Sequence, residues 1–91
     1  MGLFDYIKKR LKDGEVLDQS VQQLTELYSG QGGFNYYSEA AEPVKKIGRA
    51  LNRQGGFKLM LKAHEQFVQI KGKSLARNLE QVWHGIGGWS G

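Results

Sequence analysis

The side chains with which this 91-residue chain could do acid–base, nucleophilic or metal chemistry are two histidines, five serines and nine carboxylates; cysteine is absent. None of them stands at a diagnostic spacing. His64 lies on an apolar stripe between Met60 and Phe67, where an imidazole is more often a packed residue with one satisfied nitrogen than a base or a ligand. His84 follows Trp83 and precedes Gly85, a position in a last helical turn where the helix dipole favours a cation. His64 with Glu65 and His84 with Glu80 could offer metal donors only if their helices paired, and no HxxxH, HxxE or cysteine completes a ligand set. The glycine-rich segments GQGGF and RQGGF lack the Gly-Lys-Ser/Thr ending of a nucleotide-binding loop, and no strand precedes either. The expectation is a protein that is not an enzyme, with no cofactor, no metal site and no small-molecule substrate.

Charge carries more information. The net charge of +4 conceals a division along the chain. Residues 13–42 contain Asp13, Glu15, Asp18, Glu26, Glu39 and Glu42 and no lysine or arginine. Residues 43–77 contain Lys45, Lys46, Arg49, Arg53, Lys58, Lys62, Lys71, Lys73 and Arg77 against Glu65 alone. Such a cluster suits a phosphate backbone or an acidic protein surface, and it equally serves as a solvated face. Lys45, Lys46, Arg49, Arg53, Lys58 and Lys62 are the candidate contacts for nucleic acid or an acidic partner. Tyr28, Phe34, Tyr36 and Tyr37 could stack on unpaired bases, but their loop belongs to the acidic half, which would repel a nucleic-acid backbone.

The elements that must position these groups are helical. Apolar residues recur at spacings of three and four almost everywhere, and the alternation of a half-buried strand is nearly missing. The fold class is all-α, a compact bundle of four to five short helices forming a single domain over residues 1–91. Leu3, Phe4, Ile7 and Leu11 share one side of an amphipathic helix over 1–13, with Gly14 as its stop. Asp18 or Ser20 caps a second helix with the stripe Val21, Leu24, Leu27 and Tyr28, and Gly30 lies past its end. SGQGGFNYYS at 29–38 is a loop, because its glycines carry too much backbone entropy for a helix. Ala40, Val44, Ile47 and Leu51 form the next helical face, with Ser38 or Glu42 as cap and Pro43 in the first turn.

Gly55 and Gly56 end that helix and begin another, whose stripe of Phe57, Met60, Leu61, His64, Phe67 and Val68, widened by Leu59, Ala63 and Ile70, places it centrally. Gly72 stops it, Ser74 caps a last helix with Leu75, Leu79, Val82 and Trp83, and 85–91 is a glycine-rich irregular tail. Phe57, Leu61, Phe67, Leu79 and Trp83 are the expected core. QGGF occurs at 31–34 and again at 54–57, a recurrence that shared turn chemistry explains more simply than a duplicated hairpin.

No apolar run approaches the roughly 18 residues of a membrane span, and MGLFDYIKKR lacks the apolar region of a signal peptide. The first helix could lie on a membrane surface, but docking on the small core is favoured, and Tyr6 stands where a myristoylation motif needs Ser or Thr. With no cysteine, a reducing compartment and a cytoplasmic location are expected. The functional expectation is a small interaction module, homodimeric because an apolar central helix is hard to cover with one copy and because the two charge halves complement each other. The partner is the chain itself or another protein. The alternative is nucleic-acid binding through a helix-turn-helix-like segment at 43–77, with Lys58, Lys62, Glu65, Gln66 and Gln69 as the recognition surface.

Overall fold

The computed structural model describes residues 13–89. Three helices, and no strand among these residues, make up the fold: α1 (Asp13–Leu27), α2 (Glu42–Lys71) and α3 (Lys73–Val82), with a short 3-10 turn at Glu39–Ala41 leading into α2. Helix α2 packs against both of the others. The all-α class is as expected, but there are three helices where four to five were anticipated. The helix expected over 1–13 lies outside the described residues save for Asp13, which opens α1. The break at the second Gly-Gly is a single residue within one long helical run.

Helix α1 starts earlier than its polar residues suggest. Gly14 sits in its first turn instead of stopping a preceding helix, Asp18 is exposed mid-helix, and Ser20 is buried there instead of capping. The reason is Leu17, which extends the stripe Val21, Leu24 and Tyr28 by a turn and is buried with them. That burial outweighs the cost of about 1 kcal/mol for glycine in a helix.

Pro43 occupies the first turn of α2, where its missing N–H costs nothing. Neither proposed cap serves there. Ser38 stands ahead of the 3-10 turn and donates its Oγ hydrogen to the carbonyl of Asn35 (2.8 Å), and Glu42 is itself the first residue of α2. The first half of α2 buries Val44, Gly48 and Leu51. At Gly56 the backbone leaves the helix (φ 72°, ψ −167°), in a region essentially reserved for glycine. Beyond this break the second half buries Leu59, Met60, Ala63 and Phe67.

Phe67, Leu79 and Trp83 are fully buried as expected, whereas Phe57 and Leu61 are 38% and 39% exposed. At 3.6 residues per turn they lie more than about 100° round the helix from the centre of its buried face. This half of α2 is not interior, since Lys58, Lys62, Glu65, Gln66, Gln69 and Ile70 all face solvent. One copy of the chain buries Leu59, Met60, Ala63 and Phe67 and leaves Phe57, Leu61 and Ile70 exposed.

Gly72 separates α2 from α3, and Ser74 is the second residue of α3, with no side-chain cap. Ala76, Leu79 and Val82 of α3 are buried. After α3 the chain turns back on itself, with Ile86 N–H donating to Trp83 O, Trp89 N–H to Ile86 O and Gly85 N–H to Trp89 O. Residues 84–89 are irregular but packed. Trp89 is buried, with its ring 5.3 Å from those of Phe57 and His64 and 5.5 Å, edge-on, from that of Trp83.

Two side chains bind distant backbone into this frame. Trp83 Nε1–H donates to Val44 O at 2.9 Å, an approach possible because residue 48 is glycine: a Cβ there would lie 2.6 Å from Nε1. Asn78 of α3 holds the 29–38 loop. Its Oδ1 accepts from Tyr28 O–H (2.8 Å) and Phe34 N–H (2.9 Å), and its Nδ2 donates to Phe34 O (2.9 Å). Burial pushes the Tyr28 phenol well above its ordinary pKa, so it serves as a neutral donor. Among the described residues no helix is long and apolar enough to cross a membrane.

Candidate polyanion-binding surface

Helical spacing sorts the basic residues of α2 before any contact is considered. Lys46, Arg49 and Arg53, separated by three and four residues, occupy the side of the first half opposite Val44 and Leu51, and all three are exposed. In the second half Lys58 and Lys62 share the solvent side with Glu65, Gln66 and Gln69, because Leu59, Met60, Ala63 and Phe67 take the core side. The polar recognition surface anticipated for a helix-turn-helix-like reading is therefore fully on the outside. Of the apolar residues in the same turn, Leu59 and Met60 are turned inward and Leu61 is exposed.

Contacts divide the six candidate cations into two groups. Lys45 has a side chain only 12% exposed, with Nζ 3.7 Å from Glu42 Oε2 and 3.9 Å from the centre of the Tyr36 ring. Arg49 reaches the other oxygen of Glu42 at 3.8 Å. Lys46, Arg53, Lys58 and Lys62 are exposed, and among the described residues none has a carboxylate within ion-pair distance. Lys73 and Arg77 of α3 are exposed in the same way. The half-exposed Arg49–Glu42 pair is worth well under about 1 kcal/mol, so Arg49 is only loosely held there, whereas Lys45 is mostly buried.

Two open grooves border this surface. One has Leu17 and Val68 in its lining, together with Lys62, Glu65, Gln66 and Gln69. The other lies between the end of α1 and the start of α2, lined by Leu27, Pro43 and Ile47 with Glu26 and Lys46 at its polar edge.

The histidines combine differently from either pairing suggested by sequence. His64 Nε2 lies 2.9 Å from Glu80 Oε2, joining α2 to α3, and the imidazole leans on Trp89. Glu65 is exposed on the far side of α2, and His84 stands by Tyr36, their rings 6.4 Å apart. His64 and Glu80 share a cleft with Lys73 and Arg77. Among the described residues no hydroxyl is hydrogen-bonded to His64, and no group of three His, Cys, Asp or Glu side chains could hold a metal ion. The contact is a polar tie between α2 and α3.

The residues that sequence reasoning set aside are Tyr36 and Tyr37. Their loop belongs to the acidic half of the chain, but folding brings the Tyr36 ring under Lys45, and Tyr36 O–H donates to His84 O at 3.3 Å. The available signal was proximity, because a loop that ends on the first turn of α2 must run beside the residues of that turn. Against protein families, curated proteins and solved structures alike, the chain finds no match.

Proposed function

We propose that this chain is a small non-enzymatic interaction module of the cytoplasm that engages an anionic macromolecular partner through the outer face of α2. One observation supports this above the others. Lys46, Arg53, Lys58 and Lys62 are exposed, with no carboxylate partner among the described residues, on a helix whose opposite face is committed to the core. Cations left unpaired along one side of a helix raise the local concentration of an anionic partner and orient its approach. The exposed apolar residues Phe57, Leu61 and Ile70 do not form one stripe, and isolated apolar residues are ordinary on a protein surface.

The test is the salt dependence of binding to heparin and to duplex DNA. Each neutralised phosphate contributes about 0.9 to the slope of log affinity against log salt on a duplex. Lys46→Glu with Arg53→Glu should lower that slope by about two and weaken binding by at least about tenfold, with helix content unchanged. Salt-independent binding, or none, would end this reading.

A second reading keeps the homodimer. Phe57, Leu61 and Ile70 stay exposed on α2 in one copy, and Glu15, Asp18 and Glu26 are exposed on α1 and could meet the cations of a second copy. Sedimentation equilibrium would then find a dimer that dissociates as salt is raised.

A further inference from the structure

We infer that Tyr37, Tyr36 and Lys45 form a base-stacking platform for single-stranded nucleic acid at the start of the cationic face of α2. The inference rests on the polyanion-binding reading above and gives that partner a chemical class.

It begins from an aromatic ring in an unusual place. Tyr37 is 90% exposed, although tyrosine has an apolar body that Tyr28, in the same chain, buries completely. The ring is presented by a built turn. Tyr37 N–H donates to Asn35 Oδ1 at 2.8 Å, and both the N–H and the Oγ of Ser38 donate to Asn35 O, at 3.0 and 2.8 Å. Tyr36 supports Tyr37 edge-on, with ring centres 5.0 Å apart. Tyr36 is itself fixed by its hydrogen bond to His84 O and by Lys45 lying over its face. An outward ring held by such contacts loses little freedom on meeting a ligand.

Cations continue from this platform. Lys45 is followed along α2 by Lys46, Arg49 and Arg53, and Lys45 to Arg53 spans about 12 Å of helix. That length offers a short cationic track for the phosphates of a strand leaving the platform. Exposed aromatic rings beside a cationic track are the elements with which proteins hold unpaired strands, since every base offers a π-face and every nucleotide a phosphate. The partner is single-stranded because a duplex hides its base faces in the stack. An acidic peptide or a sulfated sugar would use the cations and leave the rings idle.

Two carboxylates oppose the idea and must be weighed. Glu39 is exposed nearby, and Glu42 is already shared between Lys45 and Arg49. The Arg49 pair, at 3.8 Å with both side chains half exposed, is of the weak surface kind that a phosphate can displace, whereas Lys45 is mostly buried and holds the Tyr36 ring.

The experiment is fluorescence anisotropy with the intact chain against labelled 12-nucleotide oligo-dT and oligo-U, a 12-base-pair duplex, heparin and a 12-residue polyglutamate peptide. Both single strands are expected to bind more tightly than the duplex and the peptide. Tyr37→Ala should weaken binding to single strands by about tenfold and leave heparin binding and melting temperature unchanged, while Tyr37→Trp keeps or tightens single-strand binding. Equal single-strand affinity for wild type and Tyr37→Ala, or tighter binding of the duplex or the peptide, would overturn the platform and leave the polyanion reading standing. Absence of binding to every probe, heparin included, would overturn both.

Discussion

The same four residues, Gln-Gly-Gly-Phe, occur at 31–34 and at 54–57, and the chain does opposite things with them. At the first copy the helix has already ended, Gly33 adopts φ +134°, and Phe34 is drawn in edge-on against Tyr28 with ring centres 4.8 Å apart. At the second copy helix continues on both sides, only Gly56 leaves it, and Phe57 stays partly exposed against Trp89. The difference comes from what each meets. Phe34 finds both backbone hydrogen bonds on the side chain of Asn78, across the molecule in α3, and a Cβ on Gly33 would lie 2.9 Å from that amide. A Cβ on Gly56 would meet open space, so what reserves this position for glycine is its positive φ. Identical turn chemistry thus yields a loop where the Asn78 amide takes both backbone groups of the phenylalanine, and a one-residue break at the second copy.

The largest effect should come from removing the distant partner. Asn78→Ala leaves the Tyr28 hydroxyl and both backbone groups of Phe34 without their acceptor and donor. The expected loss is about 3 kcal/mol, or roughly 12–24 °C in melting temperature, measurable by calorimetry. Hydrogen exchange should show the first Gln-Gly-Gly-Phe losing protection while the second is unaffected. A uniform loss at both copies would show that the two regions are not independent.

An intermediate effect belongs to the second copy. Gly56→Ala meets no neighbour, so its cost is backbone strain alone, about 2 kcal/mol by denaturant unfolding. D-alanine at residue 56, introduced by chemical synthesis, favours positive φ and should recover most of that loss. If L-alanine proved harmless, the break would be a preference of the surrounding core and not of the glycine.

The smallest effect tests how tightly the first copy is closed. Tyr28→Phe removes one hydrogen bond while Asn78 Oδ1 keeps Phe34 N–H, for about 1 kcal/mol near neutral pH. Its pH dependence says more. Because burial raises the folded-state pKa of this phenol above the ordinary value of about 10, the unfolded chain loses its proton first as pH rises. The wild type should therefore hold its Tyr28 contribution below about pH 10 and lose it progressively above. Tyr28→Phe should lack that alkaline decline, as urea titrations at stepped pH would reveal.

Helical class, the loop at 29–38, the interruption at Gly56 and the burial of Phe67, Leu79 and Trp83 could all be read from spacing and glycine placement. The start of α1 could not, because Gly14, Asp18 and Ser20 signal helix ends locally while Leu17 is held in the helix by residues far along the chain. Phe57 and Leu61 were misplaced for a related reason. Apolar residues cover so much of the second half of α2 that periodicity alone cannot choose its inner face. At the candidate surface, residue type and spacing identified the cations. Sequence could not say that Lys45 would be drawn over the Tyr36 ring, because that depends on how a loop returns to its helix.

Trp83 and Trp89 are the only tryptophans in the chain, and both lie in one buried cluster. Their indoles are close enough and sufficiently crossed for their excited states to mix, so the molecule carries its own optical gauge. All of its tryptophan emission reports on the place where the end of α3, the returning tail and Phe57 just beyond the helix break meet. A detached tail would turn one emitter red and erase the coupled circular-dichroism band while the helical signal persisted, whereas global unfolding would shift both emitters together.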